Sequence, residues 1–313
     1  MLTVIGETLI DVVKGVDVKP RAHVGGSPMN VAVGLARLGH AVQFLGRYGK
    51  DNFGQMVSGH LADNSVLNPL PPDDSPTSTA TAILDETGAA TYTFELEWSL
   101  AGLLDRLPDD LQGSTLVHTG SIATMLEPGA STVLTAVEHA HPLATISYDP
   151  NCRPTIITDP SYAREAAEKF VRLADVVKAS DEDLEWLYPD RSVKESARAW
   201  LELGPAIVVV THGGDEPWGV AAAGEATAAV PPVEVVDTVG AGDSFMSALL
   251  GAIVDKELDG SGRREKLRQI STGELRGILE TAATAAAITV SRAGANPPSK
   301  TELRQLRSQR RSS

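Results

Sequence analysis

Short apolar runs alternate with longer amphipathic stretches along most of the chain. Leu2–Gly6, Val42–Gly46, Thr115–His118, Thr145–Asp149, Val176–Ala179 and Ala206–Thr211 are each too short for a helix, and several are apolar at successive positions rather than at every second one. Strands of that kind are buried on both faces, as in a parallel sheet covered by helices. The alternation predicts an α/β fold with a doubly wound, mostly parallel sheet flanked by helices. The first helix has sharp limits: Ser27 reads as its N-cap and Pro28 as its first residue, Met29, Ala32, Val33 and Ala36 form one stripe, and Gly39 stands just past the end.

Two segments depart from this rhythm. Val12–Val24 is extended with no helix signal, and TSTATAILDETGAATYTF alternates around a turn at Asp85–Gly88, which predicts a β-hairpin. Together they predict a small sheet, drawn from about residues 12–24 and 79–98, beside the main one within a single domain over 1–313. The linker Pro69–Ser78, with four prolines, delivers the chain to the hairpin without continuing a helix. The terminal RSQRRSS is expected to be a frayed tail.

Composition narrows the function. With 313 residues, 42% hydrophobic and 22% charged, the chain can bury a sizeable core. A formal charge of −14 disfavours nonspecific binding to nucleic acid or an anionic membrane, so an anionic ligand needs a local site. The single cysteine, Cys152, excludes an intramolecular disulfide and fits a reducing compartment. The opening MLTVIGETLIDVV lacks a basic n-region and no stretch is long enough to span a membrane, so a cytoplasmic protein is expected.

The segment DTVGAGDSFMSALLGAIV, Asp237–Val254, places a Gly-Ala-Gly turn, Gly240, Ala241 and Gly242, before a helix. Backbone N–H groups of Ala241, Gly242 and Asp243 can converge there on one anion, aided by the helix dipole. An ordinary glycine turn capped by Asp243 fits these residues equally well. Neither a Walker A loop nor a GxGxxG dinucleotide turn is present. Asp243, beside a transferring phosphoryl group, could accept the proton of an attacking hydroxyl. Near the other end, Asp11 just after the first strand, Gly25 and Gly26 before the first helix and Asn30 on its first turn suit a ligand with vicinal hydroxyls, although each alone has a plain structural reading. The glycines of GRYGKDNFG, Gly46–Gly54, would allow close approach to a ligand or simply form a surface connection.

Jointly, these segments resemble the PfkB, or ribokinase-like, carbohydrate kinase family along nearly the whole chain: Gly25-Gly26 with Asn30, Gly46-x-x-Gly49-x-Asp51-x-x-Gly54, and DTVGAGD match its signatures in order. The resemblance implies ATP-dependent phosphorylation of a sugar or related alcohol, with Asp243 as catalytic base and Gly240–Gly242 as the anion hole. It assigns the sugar hydroxyls to Asp11, Gly25, Gly26 and Asn30, and makes the extended pieces a β-lid that closes over the sugar and can serve in a homodimer contact. Asp149-Pro150-Asn151-Cys152-Arg153 matches the DPNxR element of the fructokinase and 2-keto-3-deoxygluconate kinase branches, with Arg153 offering a planar fork to an anion. The family's NxxE element stands here as Ser180-Asp181-Glu182-Asp183, so Asp183 is expected to reach magnesium through water. The TxGxxG nucleotide loop is altered, leaving Thr211 and Gly213 in place. Mg²⁺ is expected mainly on the ATP phosphates and water. A K⁺ ion is implied behind the anion hole, held by Asp237 and backbone near Val239, Thr289, Arg292 and Gly294. GGSPMNVA and SYDPNCR look most like the fructokinase branch, which makes D-fructose the first substrate, with 2-keto-3-deoxygluconate kinase and ribokinase as alternatives. A sugar-binding regulator without catalysis is the rival that the altered elements support.

Overall fold

The computed structural model describes residues 1–15, 20–84 and 90–311. Twelve strands form two sheets: β1 Leu2–Ile5, β2 Leu9–Gly15, β3 Arg21–Gly25, β4 Val42–Leu45, β5 Thr79–Leu84, β6 Ala90–Glu95, β7 Leu116–Gly120, β8 Thr145–Asp149, β9 Val176–Ser180, β10 Ile207–Thr211, β11 Trp218–Ala221 and β12 Gly224–Thr227. The helices are α1 Ser27–Arg37, α2 Asn52–Asp63, α3 Leu103–Asp110, α4 Gly129–Ala140, α5 Pro160–Leu173, α6 Asp181–Leu187, α7 Val193–Leu203, α8 Ala241–Asp255, α9 Arg264–Arg268, α10 Thr272–Val290 and α11 Lys300–Arg311.

The large sheet has eight strands in the order β12-β11-β10-β9-β8-β7-β1-β4. Its pairs from β10 to β4 are parallel, while β11 and β12 add an antiparallel edge. Both faces are dry. Ile207 and Val209 of β10 pack with α8 and α10, whereas Val208 and Val210, pointing the other way, pack with α5 and α7. This two-sided burial is the reason the strand sequences read as continuous apolar runs. Every strand expected in this sheet from its apolar run is present.

The second sheet, ordered β3-β2-β5-β6, is the predicted small sheet. Its turn at residues 85–88, and part of the extended segment, lie outside the described residues. β2 begins at Leu9, earlier than the expected boundary, so Asp11 lies within the small sheet rather than at the end of the first strand. Register places Asp11 opposite His23 on one side and Ala80 on the other, and Ala80 opposite Phe94. Directly opposed residues share a face, so these four line one side of the small sheet.

Of the tail expected to fray, residues 307–311 are helical, as the end of α11, and residues 312 and 313 lie outside the described residues. Ser299 and Glu302 cap its start reciprocally, and Leu303 is buried against Leu38, Ala248 and Ile288. A cap and an apolar anchor outweigh the polar composition of the last turns. No helix among the described residues is long and apolar enough to cross a membrane.

Candidate active site

The carboxyl ends of β1, β7, β8, β9 and β10 lie along one edge of the large sheet, where open parallel sheets hold their ligands. α8 starts above that edge. Gly240 precedes it with φ 74°, a left-handed conformation that suits glycine, and a Cβ there would stand 2.6 Å from the Ala295 Cβ. The Ala241 N–H is taken by the Thr238 carbonyl at 3.2 Å. The expected trio of donors thus reduces to Gly242 and Asp243, whose N–H groups lack intrahelical partners as first-turn groups do.

Asp243 is held from the opposite end of the chain. Its Oδ1 accepts from the Ser27 hydroxyl at 2.6 Å and its Oδ2 from the Asn30 amide at 2.8 Å. Two expectations change. Ser27 is not the N-cap of α1: that position is Gly26, with no side-chain cap bond, because the Ser27 hydroxyl is committed to Asp243. The Asn30 amide group serves Asp243, which leaves its carbonyl oxygen facing any sugar hydroxyl. Gly26 has φ 112°, and a Cβ on it would meet the Glu7 carbonyl oxygen at 2.7 Å and the Thr8 Cα at 2.8 Å. A side chain at Gly25 would collide with the Asp11 carboxylate. The glycine pair therefore brings Asp11 against the entrance to α1. Burial raises the Asp11 carboxyl above the ordinary carboxylate range, with His23 and Arg153 pulling it back.

Beside Gly242 opens a cleft of about 770 Å³. Arg153, Lys178, Ser180, Asp183, Thr211 and Gly213 line its polar part, and Val230, Val235, Phe245 and Val290 its apolar part. Such a division suits a nucleotide, with phosphates toward α8 and a flat base among the apolar side chains. The exposed Arg153 folds one arm, Nη1, onto the Asn151 and Cys152 carbonyls at 3.0 and 2.9 Å. Its Nε and Nη2 have no partner among the described residues. Ser180 and Asp183 form a reciprocal capping box on α6, and Asp183 also accepts from the Cys152 N–H at 2.7 Å. Asp183 is buried and lines the cleft with each oxygen on a backbone donor, which fixes its place in the wall.

At the base of the cleft, Lys178 donates to Asp149 at 2.7 Å, and both are buried. Burial pushes Asp149 up to about 6 against the pull of Lys178. Burial also acts to lower Lys178, but the charge and hydrogen bond of Asp149 more than offset it, so the amine stays protonated.

Asp237 accepts from the Val239 N–H at 3.0 Å and the Gly294 N–H at 2.8 Å, which brings the two segments expected around a monovalent cation together. These contacts hold its carboxyl below the usual range. The Thr289 hydroxyl points inward to Ser244 at 2.7 Å, the Thr289 carbonyl accepts from the Arg292 N–H, and the Arg292 side chain pairs with Glu302.

The GRYGKDNFG loop touches protein. Asp51 caps α2 through the Gly54 N–H and accepts from the N–H and hydroxyl of Thr77 at 2.8 and 2.7 Å. Arg47, buried, forks onto Asp73 and donates to the carbonyls of Ser75, Pro76 and Glu97. The motif clasps the proline linker and both ends of the small-sheet hairpin; this is its role in the fold, in place of the ligand approach its glycines allowed.

Sequence reasoning missed Ser27, Arg47 and Lys178. A lysine inside the apolar run VVKAS was a usable signal, since a buried charge must have a partner.

Residues 1–302 match the family described as pfkB family carbohydrate kinase. A fructokinase from Klebsiella pneumoniae is 35% identical over 260 residues, covering 80% of this chain and 83% of the relative. A fructokinase from Xylella fastidiosa, solved with bound ATP, superposes with a TM-score of 0.88 at 25% identity over 99% of this chain and 98% of that one. A fructokinase from Vibrio cholerae O395, solved with fructose, ADP and calcium, superposes with a TM-score of 0.76 at 26% identity over 96% of this chain and 95% of that one, and its double mutant was solved with potassium. With the family signatures in register and their residues gathered around one helix start, the chain belongs to the pfkB family of carbohydrate kinases.

Proposed function

We propose that this sugar kinase transfers the γ-phosphoryl group of ATP to a primary hydroxyl of D-fructose, with Asp243 as general base. The observation that carries the reading is the Asp243 carboxylate, fixed by Ser27 and Asn30 beside the free N–H groups opening α8. The hydroxyl proton passes to Asp243 as the new O–P bond forms and the bond from γ-phosphorus to ADP breaks. A loose transition state makes positioning more important than basicity. Gly240–Gly242 shape the anion hole. Asp11, the Gly25-Gly26 backbone, the Asn30 carbonyl and Arg153 form the sugar side, under the face of the small sheet that carries Asp11 and Phe94. The fructokinase relatives favour fructose among sugars.

ATP fits the cleft: apolar walls, a helix start with free donors and a buried cation converge there. Mg²⁺ would be carried on the phosphates and water rather than caged by protein, as a reluctantly dehydrated cation is. Such an ion neutralises phosphate charge. Asp237 and the Gly294 segment would hold K⁺, and the exposed Tyr92, stacked on Phe94, offers the small sheet a contact with a second copy.

The unpartnered arms of Arg153 support a second reading, a sugar acid such as 2-keto-3-deoxygluconate. The test is ADP release with ATP and magnesium against fructose, 2-keto-3-deoxygluconate and ribose. Fructose is expected to be preferred, and Asp243→Asn to lose ~10²–10⁴-fold in kcat, the scale of a positioned acid–base group. Preference for the sugar acid, abolished in Arg153→Ala, would select the second reading. Full turnover in Asp243→Asn would overturn the mechanism.

A further inference from the structure

Lys178 stands out among the buried polar residues. It is 4% exposed and projects from the middle of β9 to the base of the nucleotide cleft. An ammonium carries three donors. One reaches Asp149 Oδ2 at 2.7 Å, and no other partner occurs among the described residues. A buried cation with unfilled donors on a cleft wall calls for an anion.

Gly242 says where that anion lies. Its backbone needs no glycine, since its φ is not positive. A Cβ at this position, however, would stand 3.4 Å from the Lys178 Nζ. Glycine keeps open the gap between the start of α8 and the ammonium, so one anion can meet the Gly242 and Asp243 N–H groups and Lys178 together. The surroundings also require a cation: Asp149, Asp183 and Asp243 all act on Lys178 electrostatically. Without it, three carboxylates would face an incoming polyphosphate.

Resting on the kinase reading, we infer that Lys178 is a catalytic residue: its ammonium binds the terminal phosphates of ATP and neutralises the charge that builds on the oxygen between β- and γ-phosphorus as that bond breaks. Asp149 is its counterion, holding the amine in the direction of Gly242. Lys178 itself neither gives nor takes a proton; the electron pair of the breaking bond goes to the ADP oxygen, where the fixed cation faces it.

A purely structural ion pair makes different predictions. Lys178→Met is expected to lower kcat by ~10²–10³-fold, as loss of one preorganised donor does, with the sugar KM little changed. ADP binding should weaken by ~10-fold or more while AMP binding holds within about twofold, because the cation touches only terminal phosphates. Should an unpaired Asp149 prevent Lys178→Met from folding, the Asp149→Asn/Lys178→Met double variant removes both charges and is read in the same way. Equal losses for ADP and AMP, or a Lys178→Met kcat within about twofold of the wild type, would reduce Lys178 to a structural partner and overturn the inference. The two readings fail separately: absence of turnover on any sugar in the wild type removes the proposed function, while the ADP-to-AMP comparison still reports on Lys178.

Discussion

Replacing Arg47 by methionine is expected to loosen the small sheet from its base and to weaken sugar use more than nucleotide use. The magnitude follows from its contacts. The guanidinium makes two bonds to Asp73, at 2.8 and 2.6 Å, and three to the carbonyls of Ser75, Pro76 and Glu97, at 2.6, 2.8 and 3.2 Å. Breaking a fully buried pair costs ~3–5 kcal/mol, but that is an upper bound here. The Asp73 side chain is 46% exposed and also accepts from the Ser75 N–H, so its lost pairing counts for less than about 1 kcal/mol after solvent screening. The three carbonyls lose bonds to a charged donor, about 1.5–3 kcal/mol each in isolation, so the buried-pair bound of ~3–5 kcal/mol sets the scale. Methionine keeps most of the buried volume, so little packing is lost. The total is about 3–5 kcal/mol.

Equilibrium urea unfolding, followed by tryptophan fluorescence, measures that loss as a lower midpoint at constant slope. Steady-state kinetics should show the sugar KM raised by ~10-fold or more, since small misplacements of positioning groups are costly. The ATP KM should hold within about twofold, because Arg47 does not line the nucleotide cleft. Arg47→Lys should recover less than half of the stability, since a point charge cannot reproduce the fork. A methionine variant within about 0.5 kcal/mol of the wild type, or one that shifts both KM values equally, refutes the clasp.

Glu7 gives a pH signature. It is buried, accepts from the Ala123 N–H at 3.2 Å, and burial raises it from 4.5 to about 7. The folded chain holds this proton more tightly than the unfolded one, so its contribution is full below about pH 4.5 and is lost as pH rises through about 7, a swing of about 3 kcal/mol. Glu7→Gln should flatten this part of the stability profile and raise the melting temperature at pH 8; parallel melting-temperature profiles for the two proteins would show that Glu7 does not titrate in this way. Gly26→Ala should destabilise by about 2–4 kcal/mol, from its positive φ and two backbone collisions, with denaturant melts as the measure. A loss below about 0.5 kcal/mol would mean that the turn relaxes freely.

The sequence carried the large sheet because burial on both faces writes itself as unbroken apolar runs, as in Ile207–Val210. It carried the start of α8 because a glycine turn followed by a helix is a local pattern. What it could not carry were choices between partners. A serine before a proline satisfies the rule for an N-cap, yet Ser27 meets an acceptor 216 positions away. The capping of α6 by Ser180 and Asp183 is local, yet Asp183 also meets the Cys152 N–H from 31 positions away. Asp11 was placed one strand too early, because strand alternation does not reveal which of two sheets a segment joins. Local periodicity records exposure and hydrogen-bond demand; it does not record which neighbour meets the demand.

The bonds from Ser27 and Asn30 to Asp243 close the longest loop in the active site, 216 and 213 positions around. A ribosome makes the N-terminal parts first. The clasp and the strands of the small sheet therefore leave the tunnel well before Asp243, and its bonds to Ser27 and Asn30 arise only when α8 docks on α1. Long-range closure of this kind comes late because its entropy cost precedes its reward. On the proposed reading, the nascent chain acquires its sugar-side elements before any capacity for phosphoryl transfer, and a partly made copy would not consume ATP idly.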